Sequence, residues 1–292
     1  MTTIAVPSPV SSLGRPSPLN SLRALRAVIQ REWLIFVRYP TWVISLFIWP
    51  VIFPLSYLLT AQALAGRDGS GLAHFQAATG LPDYVGYIAL GTTVWMWQNV
   101  VLWNLGFALR NEQLRGTLES NWLSPTWRFA YLLGASVPQL LSMLMFLAVS
   151  AIEFVLIFGV RFHGSLGLTL LALLAAIPSI YGLGFAFASV VITAKEANAF
   201  VFLVRGLVMI FCGITFPVSI LPGWMQSVAK WLPQTYIMHA VRSAALSNDG
   251  FTAIRSDLLV LALSGVFLLA LGGILFNWME RQARRTGSLG QY

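Results

Sequence analysis

The chain has 292 residues, 57% of them hydrophobic and only 10% charged, with a net charge of +8. A soluble domain carries about 25% charged residues, so the composition excludes an ordinary water-soluble fold, and several apolar runs of 18 or more residues point to an all-α integral membrane protein. The positive balance reads as membrane topology and anionic lipid rather than nucleic-acid binding. The single cysteine, Cys212, excludes an intrachain disulfide and a thiolate metal cluster.

Residues 1–19 are rich in Pro, Ser and Thr and lack an apolar signal-peptide core, which predicts a disordered cytoplasmic tail. Over residues 20–39, Leu22, Leu25, Ile29, Trp33 and Phe36 recur at three- and four-residue spacing, with Arg23, Arg26 and Gln30 on another face. This pattern, which also carries Arg31, predicts an amphipathic helix in the membrane interface, ended by Pro40. The alternative is a plain cytoplasmic start to the first span. Residues 40–280 then read as a six-span domain. The spans are predicted at about 41–64, 84–109, 129–159, 166–193, 197–219 and 258–278, because roughly 20 apolar residues cross a bilayer core. Pro50 and Pro54 predict a kink in the first. Between the fifth and sixth spans, Pro222-Gly223 opens a short piece with Trp224, Val228 and Trp231 on one face, and Pro233 separates it from a second piece at 234–246. Two short re-entrant helices in the outer interface fit this spacing. Residues 281–292 form a basic cytoplasmic tail.

Orientation follows from the basic residues. With the N-terminus inside, 12 of the 18 lie in cytoplasmic segments: Arg15, Arg23, Arg26, Arg31, Arg38, Arg110, Arg115, Arg128, Lys195, Arg281, Arg284 and Arg285. Arg67, Arg161, Lys230, Arg242 and Arg255 fall outside, and Arg205 lies within a span. The bias predicts a multi-pass inner-membrane protein with both termini cytoplasmic.

Motifs for bond chemistry are scarce. No Gly-x-x-x-x-Gly-Lys phosphate loop exists, and His74, His163 and His239 are far apart with no metal-ligand spacing. Two ionisable residues fall within predicted spans, Glu153 and Arg205. An intramembrane charge faces protein or water because exposure to lipid is costly. Arg205 shares a seven-residue spacing with Asn198, Cys212 and Ser219; it either faces the bundle or snorkels to the headgroups. On the second span, Trp95, Gln98, Asn99, Trp103 and Gly106 fall within one arc. They either line a route for an amphipathic substrate or pack helices together. Trp95, Asn99, Trp103 and Arg205 are the candidate pathway residues.

The polar stretch 111–125 concentrates charge between two apolar runs. Glu112, Arg115 and Glu119 share one face if this segment is helical, and such a face can present charge-assisted hydrogen bonds to a partner. Gly116-Thr117 can reorient the backbone. Glu112, then Arg115-Gly116-Thr117-Leu118-Glu119, then Ser124-Pro125, resembles the cytoplasmic coupling loop of type-2 ABC exporter permeases. Phe216-Pro217-Val218-Ser219-Ile220-Leu221-Pro222-Gly223-Trp224 through Leu232-Pro233-Gln234-Thr235 resembles that family's region between spans five and six. Residues 20–39 match its connecting helix, and the resemblance covers roughly residues 21–281. Asn121-Trp122 departs from the aliphatic residues more common there.

The resemblance implies a permease subunit that catalyses no bond chemistry. It implies a homodimer working with two copies of an ABC ATPase, with no cofactor on this chain and ATP and Mg held by the partner. Glu112, Arg115, Gly116, Thr117, Glu119 and Pro125 would couple to that ATPase, beside a connecting helix bearing Arg23, Arg26 and Arg31. The exported substrate would be a drug or antibiotic, a lipid or a lipid-linked glycan. The absence of long carbohydrate-binding segments favours a small amphipathic compound, as in multidrug efflux. An ion-driven carrier would instead need midplane carboxylates, and a membrane enzyme would need convergent acid–base residues.

Overall fold

The computed structural model describes residues 18–64, 70–79, 83–118, 127–193 and 197–286. Its helices are α1 (Pro18–Arg38), α2 (Pro40–Leu64), α3 (Ser70–Thr79), α4 (Tyr84–Leu114), α5 (Phe129–Leu156), α6 (Leu166–Thr193), α7 (Ala197–Phe211), α8 (Gly223–Ala229), α9 (Pro233–Leu246) and α10 (Phe251–Thr286). No strand occurs among the described residues.

Segments within α2, α5, α6 and α10 are long and apolar enough to cross a membrane: Pro40–Ala63, Phe129–Leu156, Leu166–Val191 and Phe251–Gln282. Large apolar side chains on α2, α5, α7 and α10 point outward, including Phe47, Ile152, Phe202 and Phe267. In water this exposure would be costly; against lipid tails it costs nothing.

Two large boundary changes and one added helix depart from the sequence expectation. The fifth apolar stretch, predicted over 197–219, is helical only to Phe211 and turns at Gly213, whose φ is +67°. Cys212 and Ser219 therefore do not continue a helical stripe with Asn198 and Arg205. The last helix starts at Phe251 rather than near 258, because hydrophobicity marks where lipid begins, not where the backbone becomes helical. An additional helix, α3, follows α2.

The centre of the bundle is α4 and α6, and α6 packs closely along α10. Small residues permit this approach. A β-carbon on Gly182 would lie 2.7 Å from the Leu269 nitrogen, and one on Gly265 would lie 2.6 Å from the Pro178 side chain. Ser179 Oγ donates to the Leu261 carbonyl at 3.2 Å across the same seam. Close backbone packing with interhelical hydrogen bonds replaces the hydrophobic drive that lipid removes. Trp97, Leu102, Leu105 and Leu109 of α4 fill the middle of the core.

Candidate functional site

One end of the bundle gathers α1, the last turn of α4, the start of α5 and the end of α10. Helix α1 lies against α5 where Gly134 leaves room; a β-carbon there would be 2.8 Å from the Val28 side chain. Helix α4 stops at Arg115, and Gly116 adopts a φ of +71°, open to glycine at little cost. The turn closes with Gly116 N–H bonded to the Gln113 carbonyl and Thr117 N–H to the Glu112 carbonyl.

These elements build a polar clamp. Arg31 Nη2 donates to Glu32 Oε1 at 2.6 Å, to Glu112 Oε1 at 3.0 Å and to Tyr131 Oη at 2.9 Å. Thr117 Oγ1 donates to the other Glu112 oxygen at 2.7 Å, and Arg115 lies 3.9 Å from Glu112. Arg128 pairs with Glu280, tying α5 to α10 beside the clamp. Burial works against the Glu112 carboxylate, but the Thr117 hydrogen bond and the Arg31 charge outweigh it and hold its pKa below the usual carboxylate range. Burial likewise opposes the Arg31 charge, yet its bond to Glu32 and the charges around it leave its pKa raised.

The clamp revises the reading of 111–125. Glu112 is only 2% exposed and faces inward, held there by Arg31 from α1 and by Thr117 from the turn that follows the helix. Arg115, Gly116 and Thr117 remain on the surface. Glu119 and Pro125 lie outside the described residues. On α1, Arg23 and Arg26 are exposed while Arg31 is drawn into the clamp. Glu32 and Tyr131 were not singled out from sequence; neither stands out from its local pattern until α1 meets α5.

The pathway residues are brought together in part. The Arg205 guanidinium sits 5.4 Å from the Trp95 ring and 5.7 Å from Phe202, within cation–π range. Phe202 meets Trp103 edge-on at 5.9 Å, and Phe53 of α2 closes on Trp95. Asn99 is buried in α4, and neither its Nδ2 nor Trp95 Nε1 has a hydrogen-bond partner among the described residues. Arg205 forms no ion pair with Glu153.

Two further polar groups occupy the opposite end. Arg242, expected in an outer segment, is 5% exposed. Its guanidinium donates to the carbonyls of Tyr87 at 3.1 Å, Gly213 at 2.6 Å and Ile214, and lies 3.4 Å from the centre of the Tyr87 ring. It thereby satisfies carbonyls freed where α7 ends. Its position between Met238 and Ala245 on the apolar face of α9 was the sequence signal for burial.

His239 Nδ1 lies 2.6 Å from Asp257 Oδ2, joining α9 to α10. The hydrogen bond to Asp257 raises the His239 pKa against a smaller opposing effect of burial. A raised folded-state pKa stabilises fully below the unfolded value of about 6.5 and loses that stabilisation as pH rises through the folded value. The advantage of the native protein over His239→Gln in thermal unfolding should therefore shrink from about pH 6 to about pH 8. With the imidazole side chain 61% exposed, the effect should stay at or below about 1 kcal/mol.

An all-helical bundle with outward apolar faces and a polar clamp at one end is a multi-pass membrane protein. The chain belongs to the ABC-2 type transporter family, whose model matches residues 23–246. It is thus the transmembrane component of an ABC transporter, a family whose permeases work with ABC ATPase subunits. No individual curated protein matches the sequence.

Proposed function

We propose that this chain is the permease of an ATP-driven exporter for amphipathic compounds, with the clamp end in the cytoplasm. The observation that carries the reading is the clamp: Arg31, Glu112, Thr117 and Tyr131 join the interfacial helix α1, the turn after α4 and α5 in one polar unit. A partner pushing on the surface turn at Arg115–Thr117 would move α1 and α5 together rather than deform a loop.

In this reading α4 and α7 join α2, α5, α6 and α10 as the six membrane segments, and α8 and α9 form a re-entrant outer cap. A second copy completes the translocation path, with Trp95, Asn99, Trp103 and Arg205 along it. Two ATPase subunits holding ATP and Mg bind at the cytoplasmic end and bias a two-state equilibrium between inward and outward access. Glu119 and Pro125 take part in the same coupling, and Arg23 and Arg26 anchor α1 at anionic headgroups.

Gentle-detergent purification from the native membrane tests the assignment. A near-stoichiometric ATPase with a phosphate loop, stimulated by this chain, is the expected result. Purification of the chain alone, with transport surviving removal of every ATPase, would overturn it. Within the path, Arg205→Leu should lower transport about tenfold, while Arg205→Lys, which keeps a cation over Trp95, should stay within about threefold. Equal transport by the two variants would remove Arg205 from the path.

A further inference from the structure

Helix α9 is tied to its neighbours by polar contacts of unequal kind. Toward α4 and the chain beyond α7, the Arg242 guanidinium binds the carbonyls of Tyr87, Gly213 and Ile214. A guanidinium keeps its charge at any ordinary pH, so this tie does not titrate. Near the start of α9, the Thr235 hydroxyl meets the thiol of Cys212, which is buried. Toward α10, the imidazole of His239 bonds the buried Asp257 carboxylate. That tie joins two helices through a ring whose charge changes near neutral pH.

Few other ionisable groups surround the ring. Arg242 lies three residues further along α9 and opposes a positive imidazole. Helix α10 contributes Asp257, while Arg255, two residues earlier, is exposed. On α4, Tyr87 turns to Arg242, and Tyr84 meets Gln62 and Phe75. Helix α6 carries no charged side chain, and its Tyr181 sits beside Trp97.

We propose that the His239–Asp257 pair is a pH-responsive latch that holds α9, and with it the cover over Cys212, against α10. The imidazolium binds the carboxylate as an ion pair, whereas the neutral ring keeps only a hydrogen bond to it. Asp257 raises the His239 pKa, so the latch is fully closed below the unfolded value of about 6.5 and weakens as pH rises through the higher folded value. Acid at this end holds α9 on α10, and alkali loosens it. The latch needs neither ATP nor a partner subunit, so it stands or falls separately from the coupling reading.

Cys212 is the one cysteine of the chain, so the native protein carries its own reporter. The full chain in phosphatidylcholine nanodiscs, without ATPase, is alkylated with N-ethylmaleimide. The rates for the native chain and His239→Gln are compared at each pH, which cancels the change in thiolate fraction. Any opening that bares Cys212 must part α9 from it, so the strength of the latch enters the rate. His239→Gln keeps a neutral hydrogen bond and cannot titrate. It should react about threefold faster than the native chain at about pH 6 and equally fast at about pH 8.5, a change typical of a partly exposed ion pair. Histidine-selective NMR of the native chain should place the His239 midpoint above about 6.5, and Asp257→Asn should lower it. This measurement also decides the matter if His239→Gln does not elute as a monodisperse protein. Equal alkylation of the two chains at both pH values would overturn the latch. An equal excess at both would do so as well, since it would mark a tie that is structural and does not titrate. So would a native His239 midpoint at or below about 6.5.

Discussion

Glu112→Gln should uncouple transport from ATP hydrolysis while leaving membrane insertion intact. The substitution keeps the shape of the side chain and removes its charge. Arg31 then keeps Glu32 and Tyr131 on its own side of the clamp but loses its ionic tie to the end of α4. Hydrogen bonds to a charged group contribute about 1.5–3 kcal/mol each, and Glu112 receives them from Arg31 and Thr117. Nucleotide-driven transport should fall at least about tenfold, the change expected from about 1.4 kcal/mol in a coupling equilibrium. Co-purification with the ATPase should persist through the surface turn. The carboxylate pKa is held below its usual range, so its stabilising effect is complete above the unfolded value and fails only as pH falls through the folded one. The Gln variant should therefore show the same defect at about pH 6 and about pH 8. Native-like coupled transport in proteoliposomes would show that the clamp does not transmit motion.

Arg242→Met should destabilise the chain strongly. The guanidinium satisfies carbonyls from two separate segments, Tyr87 on α4 and Gly213 and Ile214 beyond α7. Losing one partner of a buried charged network costs about 3–5 kcal/mol. Lysine should not rescue it, because one ammonium cannot present the planar fork that reaches all three oxygens. Gly91 shows how closely the space is filled: a β-carbon there would meet the Arg242 guanidinium and the Ile214 carbonyl. Thermal unfolding in detergent, followed by size-exclusion, should give a midpoint several degrees lower for both Met and Lys variants. An unchanged midpoint for Arg242→Lys would mean that charge alone, not the fork, holds the end of α7.

Much of the architecture was legible because lipid imposes a one-dimensional constraint. A helix that must satisfy its backbone internally and face hydrocarbon needs a long apolar run, and such runs are visible without any fold. Helix α1 was equally visible, since Leu25, Ile29 and Trp33 alternate with arginines at helical spacing. Termination within an apolar run was not. The stretch 197–219 is uniformly apolar, yet α7 ends at Phe211 because Gly213 turns the chain and Arg242, 29 residues away, accepts the task of meeting its carbonyls.

The candidate sites divide in the same way. The order of amino acids by itself determined that the chain is a helical membrane protein, that an amphipathic helix precedes the first long apolar helix, and that charge gathers after α4. Periodicity and hydrophobicity are local properties, and they survive without tertiary contacts. Only the tertiary structure decided that Glu112 turns inward to Arg31 rather than outward, that Arg205 lies over Trp95, and that Arg242 is buried against the carbonyls beyond α7. Each depends on two helices distant in sequence meeting at a few ångströms, where hydrogen bonds and desolvation take effect and which no local pattern encodes.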